Sequence, residues 1–334
     1  MTPPLIALEE HYYSSAIFEA IGETFQRTLQ GVPGLSDQLR ALDNARIHAM
    51  DRGNISLQVV SHAFTPGGPS ADACRKGNDE LAADIARMSN KTSNPSRFAA
   101  FAVLPVSNPT ASATELARAV SELGFVGALI DNHADGKHFD APEYDPLWST
   151  ACELDVPIYL HPTWPSARMA ENYMGSYPVP VGVSLGGPGW GWHPDVGLHV
   201  LKLFAAGVFD RFPTLKIIIG HMGEMLPFML ERLSDMSTRW AGWGVRARDL
   251  RQVWDENIWI TTSGAWSLAP MKCILHNTNI EHIMYGVDYP FESNERGLTW
   301  FGELEGSGLL TEEELEMVAH RNAEKLLKVQ LRVE

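Results

Sequence analysis

The chain has 334 residues, of which 45% are hydrophobic and 20% charged, a composition typical of a soluble globular protein that needs no disulfide to stabilise its core. The formal net charge of −15 argues against a nucleic-acid partner, although a metal ion or a local arginine can still attract an anionic ligand. Three widely spaced cysteines form no CxxC pair, and no leader-like or membrane-length apolar run appears, so we expect a reduced, cytoplasmic protein without a membrane partner.

Eight short apolar segments alternate with helical patterns along the chain. The predicted strands are 5–9, 55–60, 98–103, 126–131, 157–161, 215–220, 258–262 and 283–287. Helices are predicted near 37–51, 70–90, 110–122, 145–154, 196–206, 224–239, 267–276 and 311–328. Continuous apolar runs indicate strands that are buried on both faces. Eightfold alternation therefore predicts an α/β protein, a closed (β/α)8 TIM barrel with one domain over 1–334, rather than an open doubly wound sheet.

Two long segments interrupt this alternation and are predicted as loop insertions. Residues 12–36 follow the first predicted strand, and residues 162–195 follow the fifth. The second segment is rich in Gly, Pro and Trp, with the sequence GGPGWGW at 186–192. Loops after the strands of a parallel barrel lie over its active face, so both segments are expected to shape a pocket. Tryptophans such as Trp164 either stack on an aromatic ligand or pack the loop against the protein or a second subunit.

Acidic and histidine side chains mark the ends of three predicted strands. Glu9 and His11 end the first strand, His161 ends the fifth, and Asp288 directly follows the eighth. One such residue alone is usually structural or solvated, but in a parallel barrel all strand ends open onto one face, where distant residues converge. Glu9 and His11 are two positions apart and therefore point to the same side. The set predicts a site for one divalent metal ion, Zn²⁺ or Mn²⁺, with Mg²⁺ also compatible.

A further histidine lies where the sixth predicted strand leads into a helix. His221 belongs to the sequence GHMGE at 220–224, and its ordinary pKa near neutrality suits it to give or take a proton. Glu224 either orients this imidazole or favours the helix N-terminus through the helix dipole. His62, which follows the second strand, is a candidate for the pocket wall. The other histidines, His193 among them, are interpreted as structural or solvated.

Six sequence segments carry a family resemblance. They are ALEEH at 7–11, YLHP at 159–162, GVFDRFP at 207–213, GHMGE at 220–224, TTSG at 261–264 and VDYPFE at 287–292. Together they resemble the amidohydrolase superfamily, and within it the branch of non-oxidative aromatic acid decarboxylases. Members of this branch include γ-resorcylate (2,6-dihydroxybenzoate), 2,3-dihydroxybenzoate and salicylate decarboxylases. The resemblance extends over essentially the whole chain.

The resemblance implies a (β/α)8 barrel that holds one divalent ion and needs no organic cofactor. The implied metal ligands are Glu9, His11, His161 and Asp288. Glu-x-His at the first strand, in place of the His-x-His of hydrolytic relatives, favours a mononuclear site, as does the lack of a lysine at 129–132. His221 and Glu224 are implied as a catalytic pair. Arg232 is implied as a pocket residue near a dimer interface, in a homodimer or homotetramer.

The reaction expected from this resemblance is decarboxylation of an ortho-hydroxybenzoate to a phenol and carbon dioxide, reversible at high bicarbonate. Asp288 is expected to protonate the ring carbon, which requires a raised pKa, and His221 with Glu224 to stabilise the phenolate. The residues expected to contact the substrate are Arg232, His62 and Trp164. The alternatives are a mononuclear metal-dependent hydrolase of a lactone or amide, in which His221 activates water, and a barrel that serves only as a scaffold.

Overall fold

The computed structural model describes residues 2–65, 67–91, 97–240, 242–244 and 246–331. Its β-strands are β1 (Leu5–Tyr12), β2 (Ile55–His62), β3 (Phe98–Ala100), β4 (Ala128–Asp131), β5 (Ile158–His161), β6 (Ile217–Ile219), β7 (Ile258–Thr261) and β8 (Ile283–Met284). Each one overlaps a predicted strand. The eight predicted strand positions are therefore confirmed, although β3 and β8 are shorter than expected.

The helices account for most of the remaining described residues. They are α1 (Ser15–Ala20), α2 (Glu23–Gln30), α3 (Leu35–Arg40), α4 (Asn44–Arg52), α5 (Ala71–Lys91), α6 (Pro109–Leu123), α7 (Asp145–Leu154), α8 (Ala167–Ala170), α9 (Val179–Gly186), α10 (Trp192–Ala205), α11 (Val208–Arg211), α12 (Leu226–Thr238), α13 (Leu250–Asn257), α14 (Leu268–Asn277), α15 (Asn294–Ser307), α16 (Glu312–Glu316) and α17 (Asn322–Leu327). Within the described ranges, no helix combines the length and the apolar character that crossing a membrane requires.

Two predicted helices differ from the structure. The predicted helix 37–51 is divided into α3 and α4, because Ala41 is extended and the Asp43 side chain accepts hydrogen bonds from the first backbone N–H groups of α4. The predicted helix 311–328 is interrupted by a π-helical turn at Met317–Arg321, between α16 and α17. The structure also contains α13 and α15, which the sequence patterns did not indicate.

The strands form two parallel sheets. One has the order β1-β2-β3 and the other the order β4-β5-β6-β7-β8. Isolated parallel bridges join Ala102 to Ala128 and Leu8 to Gly286, at the two places where the sheets face each other. The predicted α/β architecture with parallel strands is therefore confirmed.

Apolar side chains cover both faces of the strands. One buried cluster contains Ile6, Leu57, Leu129, Ile218 and Met284, which are contributed by five different strands. A larger cluster packs the opposite faces of the strands against the surrounding helices. Burial of one such side chain stabilises the fold by roughly 1.5–3 kcal/mol, which explains why the strands read as continuous apolar runs.

The segment between β1 and α4 and the segment between β5 and α10 contain short helices of their own. α1, α2 and α3 follow β1, and the Ser14 hydroxyl accepts a hydrogen bond that caps α1. α8 and α9 follow β5. Tyr13, Leu29 and Leu35 of the first segment share a buried cluster with Phe64 and with Trp192, which begins α10. The two segments therefore meet over the same end of the strands.

Candidate metal centre and active site

Four side chains from three strand ends meet at one point. Glu9 and His11 come from β1, His161 is the last residue of β5, and Asp288 follows β8. Their potential ligand atoms all lie within 4.8 Å of one another. His11 Nε2 is 3.1 Å from Asp288 Oδ1, and His161 Nε2 is 3.3 Å from Glu9 Oε1. The structure thus brings together the four residues that were predicted to converge.

Several buried polar atoms of this cluster lack hydrogen-bond partners among the described residues. Neither ring nitrogen of His11 makes a hydrogen bond of acceptable geometry to a described residue, and the same holds for His161 Nδ1 and Glu9 Oε1. Each buried, unsatisfied polar group costs about 1–3 kcal/mol. A divalent cation would satisfy Glu9 Oε1 and the His11 nitrogen that faces the cluster, Nε2. A donor set of imidazoles and carboxylates suits Zn²⁺ or Mn²⁺. The residues present therefore fit one divalent ion.

The second oxygen of Glu9 is fixed by neutral side chains that the sequence analysis missed. Oε2 of Glu9 accepts hydrogen bonds from the hydroxyls of Tyr159 and Ser263, and Thr261 Oγ1 lies 3.3 Å away. A Cβ atom at Gly220 would lie 2.7 Å from the same oxygen, so glycine is required for this close approach. These contacts hold the carboxylate so that Oε1 faces the histidines.

A second buried network supports the ligands from behind. Glu10 accepts hydrogen bonds from the Val287 backbone N–H (3.0 Å) and from the Gln58 amide (3.1 Å). Arg46 donates to the Gln58 side-chain oxygen (2.9 Å) and to the backbone carbonyl of His11 (2.7 Å). Burial raises the pKa of Glu10 to about 8. Through Glu10, the network therefore links the backbone of β1 to Val287, the residue directly before Asp288.

Backbone strain is concentrated at the same place. Glu9, His221, Glu224 and Asp288 have φ angles of 69°, 50°, 51° and 74°. Side chains with a Cβ rarely adopt this left-handed region, and each such residue costs about 1–3 kcal/mol. Strain of this kind persists only where the surrounding structure enforces it, and it is commonest at functional sites.

The buried carboxylates and imidazoles of the cluster shift one another's pKa values. Burial would raise the pKa of Glu9, but the imidazoles of His221 and His161 outweigh burial and hold the pKa below its usual range. Burial and the negative charge of Glu9 raise the pKa of Asp288 to about 8. Two carboxylates that close together ionise fully only when a cation accompanies them. The electrostatics of the cluster therefore also favour a bound cation.

Glu224 lies between two imidazoles. Its Oε1 is 2.7 Å from His221 Nδ1, and its Oε2 is 2.7 Å from His193 Nδ1. α12 begins only at Leu226 and has no side-chain cap, so the Glu224 carboxylate orients imidazoles instead of capping this helix. Burial would raise the pKa of Glu224, but the two imidazoles lower it to about 2. Burial would lower the pKa of His221, but the carboxylates of Glu224 and Glu9 raise it to about 10.

A cavity of about 600 Å³ opens above this arrangement. Its polar floor includes His161, His221 and Asp288. Its walls are mainly apolar and come from α2, α3, the start of α10 and the loops after β2, β5, β6, β7 and β8. The other lining residues are Phe25, Thr28, Leu29, Val32, Leu35, Phe64, Trp164, Pro188, Trp192, His193, Met225, Gly264, Ala265, Phe291 and Glu292. A flat ring with a polar edge fits such a cavity.

His62 does not line the cavity, which corrects the prediction for this residue. Its strand position pairs with Tyr12, whose hydroxyl donates to Asp84 of α5, so both side chains face the helix layer. His62 Nε2 lies 2.9 Å from the Ser14 hydroxyl, and burial lowers the pKa of His62 to about 3. These contacts indicate a structural histidine at the start of α1.

Trp164 and Arg232 occupy different surroundings. Trp164 lines the cavity, and its ring meets Trp192 edge to face at 5.1 Å between centroids. Arg232 is exposed on α12 and does not belong to the cavity wall of a single chain. The structure of one chain therefore places only Trp164 of the three predicted substrate contacts in the cavity.

A profile of the amidohydrolase family matches residues 44–329. The chain therefore belongs to the amidohydrolase family, and the predicted resemblance is confirmed.

Individual relatives point to a narrower class. Decarboxylase orsB from Emericella nidulans is 82% identical over the full length of both chains. A γ-resorcylate decarboxylase from Rhizobium radiobacter is 34% identical, over 97% of this chain and 98% of the relative. A solved dihydroxybenzoic acid decarboxylase from a Polaromonas species, with bound manganese and the inhibitor 2-nitroresorcinol, is 30% identical, with a TM-score of 0.81 over 97% of this chain and 96% of that one. The predictions of a carboxy-lyase and of a divalent metal cofactor are confirmed.

Proposed function

We propose that this protein decarboxylates an ortho-hydroxybenzoate, such as 2,3-dihydroxybenzoate, 2,6-dihydroxybenzoate or salicylate, to a phenol and carbon dioxide, and that the reaction runs backwards at high bicarbonate. One observation carries the proposal: a cluster of two carboxylates and two imidazoles lies at the floor of a cavity with aromatic walls. The names of the decarboxylase relatives support the same reaction class.

The cluster of Glu9, His11, His161 and Asp288 would hold the divalent ion. When bound, the ion supplies a positive charge that fixes the carboxylate and the ortho oxygen of the substrate. The aromatic ring would then lie between the walls that include Phe64, Phe291 and Trp164. Stacking on these side chains would orient the ring with its carboxylate toward the cavity floor.

Asp288 would act as the proton donor. Its side chain lines the floor of the cavity in which the ring would lie. The proton would form a new C–H bond at the ring carbon that bears the carboxylate, the bond to the carboxylate carbon would break, and its electron pair would restore the aromatic ring as carbon dioxide leaves. His221, oriented by Glu224, would donate a hydrogen bond to the phenolate oxygen. Each turnover would consume one proton.

We also propose that the two sheets are arcs of one closed (β/α)8 TIM barrel in a single domain. The bridges from Ala102 to Ala128 and from Leu8 to Gly286 support this arrangement, since they join the sheets on both sides. Segments 12–36 and 162–195 would be the insertions that build the cavity walls. A cytoplasmic location remains a prediction from composition. The same is true of the absence of nucleic-acid and membrane partners.

A panel of hydroxybenzoates tests the reaction. Isomers with a hydroxyl ortho to the carboxylate should release carbon dioxide and the matching phenol, whereas 4-hydroxybenzoate should react at least about 100-fold more slowly because it lacks the ortho oxygen. Headspace carbon dioxide and chromatography of the phenols measure the outcome. Cleavage of lactones or amides, with every ortho-hydroxybenzoate untouched, would replace this proposal with the hydrolase alternative.

We propose further that the protein is a homodimer, or a tetramer built from dimers. Phe228 on α12 and Trp243 are 79% and 80% exposed, and Trp190 is also exposed. Large apolar side chains in such positions commonly mark subunit contacts. Trp243 belongs to the Trp-rich segment 240–243, of which residue 241 lies outside the described residues. Arg232 is one helical turn from Phe228, so its predicted pocket role would depend on the neighbouring subunit.

Light scattering at micromolar concentration should give a mass of two or four chains. Phe228→Glu should shift the population toward single chains, because a charge would replace an apolar contact at the interface. Lys76→Glu, which introduces the same side chain at an exposed position of α5, is the matched control and should leave the mass unchanged. A monomeric unmodified protein would refute the proposal.

A further inference from the structure

His193 reaches the active site from an unexpected part of the chain. It stands in the first turn of α10, at the end of the segment that follows β5. Its Nδ1 lies 2.7 Å from Glu224 Oε2, and its Nε2 lies 3.2 Å from the carbonyl oxygen of Pro188. The ring meets His221 edge to face, at 5.0 Å between centroids, and lines the cavity. The interpretation of His193 as merely structural or solvated therefore overlooks an active-site contact.

The hydrogen bonds around Glu224 define a specific arrangement. The two carboxylate oxygens are each contacted by one imidazole at 2.7 Å. An ionised carboxylate can only accept, so His193 Nδ1 donates to Glu224 when Glu224 is ionised. The side chain of Glu224 is fully buried. Its orientation is therefore fixed by His193 on one side and His221 on the other.

A second metal site is the competing explanation for this trio. One atom of each of His193, His221 and Glu224 lies within 4.8 Å of the others, which is close enough for a cation. Both oxygens of Glu224 and both Nδ1 atoms already have partners at hydrogen-bonding distance. The four-residue cluster around Glu9 differs, because several of its buried atoms lack partners. The contacts therefore favour a hydrogen-bonded trio over a second ion.

We propose that His193 is a positioning residue: it holds Glu224 in the orientation that aims His221 at the substrate. This inference rests on the proposed function of His221. Glu224 keeps the Nδ1 side of His221 occupied, which leaves Nε2 to face the cavity and the proposed ligand Glu9, 3.5 Å away. Without His193, Glu224 would lose one of its two anchors, and His221 would lose its fixed direction. Loss of His193 would therefore lower kcat, while KM would change little.

Three substitutions separate this role from a purely structural one. His193→Asn keeps an amide nitrogen near the position of Nδ1, which contacts Glu224. His193→Gln places its amide near the position of Nε2, which contacts Pro188, and His193→Leu removes both contacts. We expect kcat to fall about 10–100-fold in the Gln and Leu variants, with KM little changed, whereas the Asn variant keeps most of kcat.

The opposite pattern would overturn the proposal. If His193 only held the segment after β5 in place, the Gln variant would be the active one, and the Asn and Leu variants would fall together. An increase in KM with kcat preserved would have the same meaning. Two divalent ions per chain, found by elemental analysis of the unmodified protein, would replace the hydrogen-bonded trio with a metal site.

A measurement without substrate separates this inference from the proposed function. Proton NMR of the ¹⁵N-histidine-labelled protein should show two downfield N–H signals, one for each imidazole bound to Glu224. His193→Leu should remove one signal and shift the other, which belongs to His221. If these shifts occur but no hydroxybenzoate reacts, the proposed function fails and the arrangement stands. If hydroxybenzoates react but His193→Leu leaves both kcat and the His221 signal unchanged, the inference fails.

Discussion

Asp288→Asn is expected to abolish decarboxylation while the protein stays folded. The asparagine side chain has the same shape as aspartate, but its amide cannot deliver a proton to the ring carbon. The expected loss in kcat is about 10²–10⁴-fold, the usual contribution of a positioned acid. Release of carbon dioxide from an ortho-hydroxybenzoate measures the loss. In deuterated water, the product of the unmodified protein should carry deuterium at the carbon that the carboxylate leaves.

The surroundings of Asp288 explain why one carboxyl matters so much. It lines the cavity, and its Oδ1 lies 3.1 Å from His11 Nε2 within the proposed ligand cluster. The amide oxygen of asparagine can still approach a cation, so metal content should fall less than activity. Glu292→Gln makes the same acid-to-amide change at another cavity residue of the same loop and should leave metal content and deuterium incorporation unaltered. Normal turnover by the Asp288→Asn variant would exclude this residue as the acid.

His161→Ala is expected to remove both activity and bound metal. His161 is the proposed ligand from β5, and its Nε2 lies 3.3 Å from Glu9 Oε1 within the cluster. Alanine would leave one nitrogen ligand, His11, in the cluster. Mutation of residues that only contact metal ligands lowers metal affinity or activity about 10–100-fold. Loss of a direct ligand should lower them by at least roughly as much.

Elemental analysis after dialysis measures this effect. The unmodified protein should retain about one divalent ion per chain, and the His161→Ala variant should retain far less. His62→Gln is the matched control, because it replaces a buried histidine that faces the helix layer and can keep a hydrogen bond to Ser14. Full metal occupancy in the His161→Ala variant would remove His161 from the ligand set.

The strand positions could be predicted because burial on both faces leaves a continuous apolar run in the sequence. Helix boundaries were less predictable, since they depend on local capping. The pattern at 37–51 predicts a single helix. Asp43 begins a second helix within it, because its carboxylate accepts hydrogen bonds from backbone N–H groups. α15 was missed because its sequence includes three glycines, which weaken helical propensity, and the packing of Trp300 and Phe301 compensates for them.

The candidate ligands could be predicted because each is a charged or imidazole side chain directly after an apolar run. His62 has the same signal but faces the other side of its strand. A continuous apolar run has no alternation of polar and apolar residues, so the sequence does not show which face of the strand His62 lies on. His193 was missed because it comes from a long segment without periodicity, and only the folded chain brings it to Glu224. Tyr159 and Ser263 were missed because neutral side chains within strands and turns resemble ordinary core residues.

The proposed ligands lie far apart in the sequence, which has a consequence for biosynthesis. Glu9 and His11 leave the ribosome long before Asp288 is added to the chain. A nascent chain therefore cannot assemble the complete set, and metal loading is expected to be a late step of maturation. The ion would then connect β1 to the loop after β8 once the fold has formed. Which metal is bound would depend on the ions available to the finished protein.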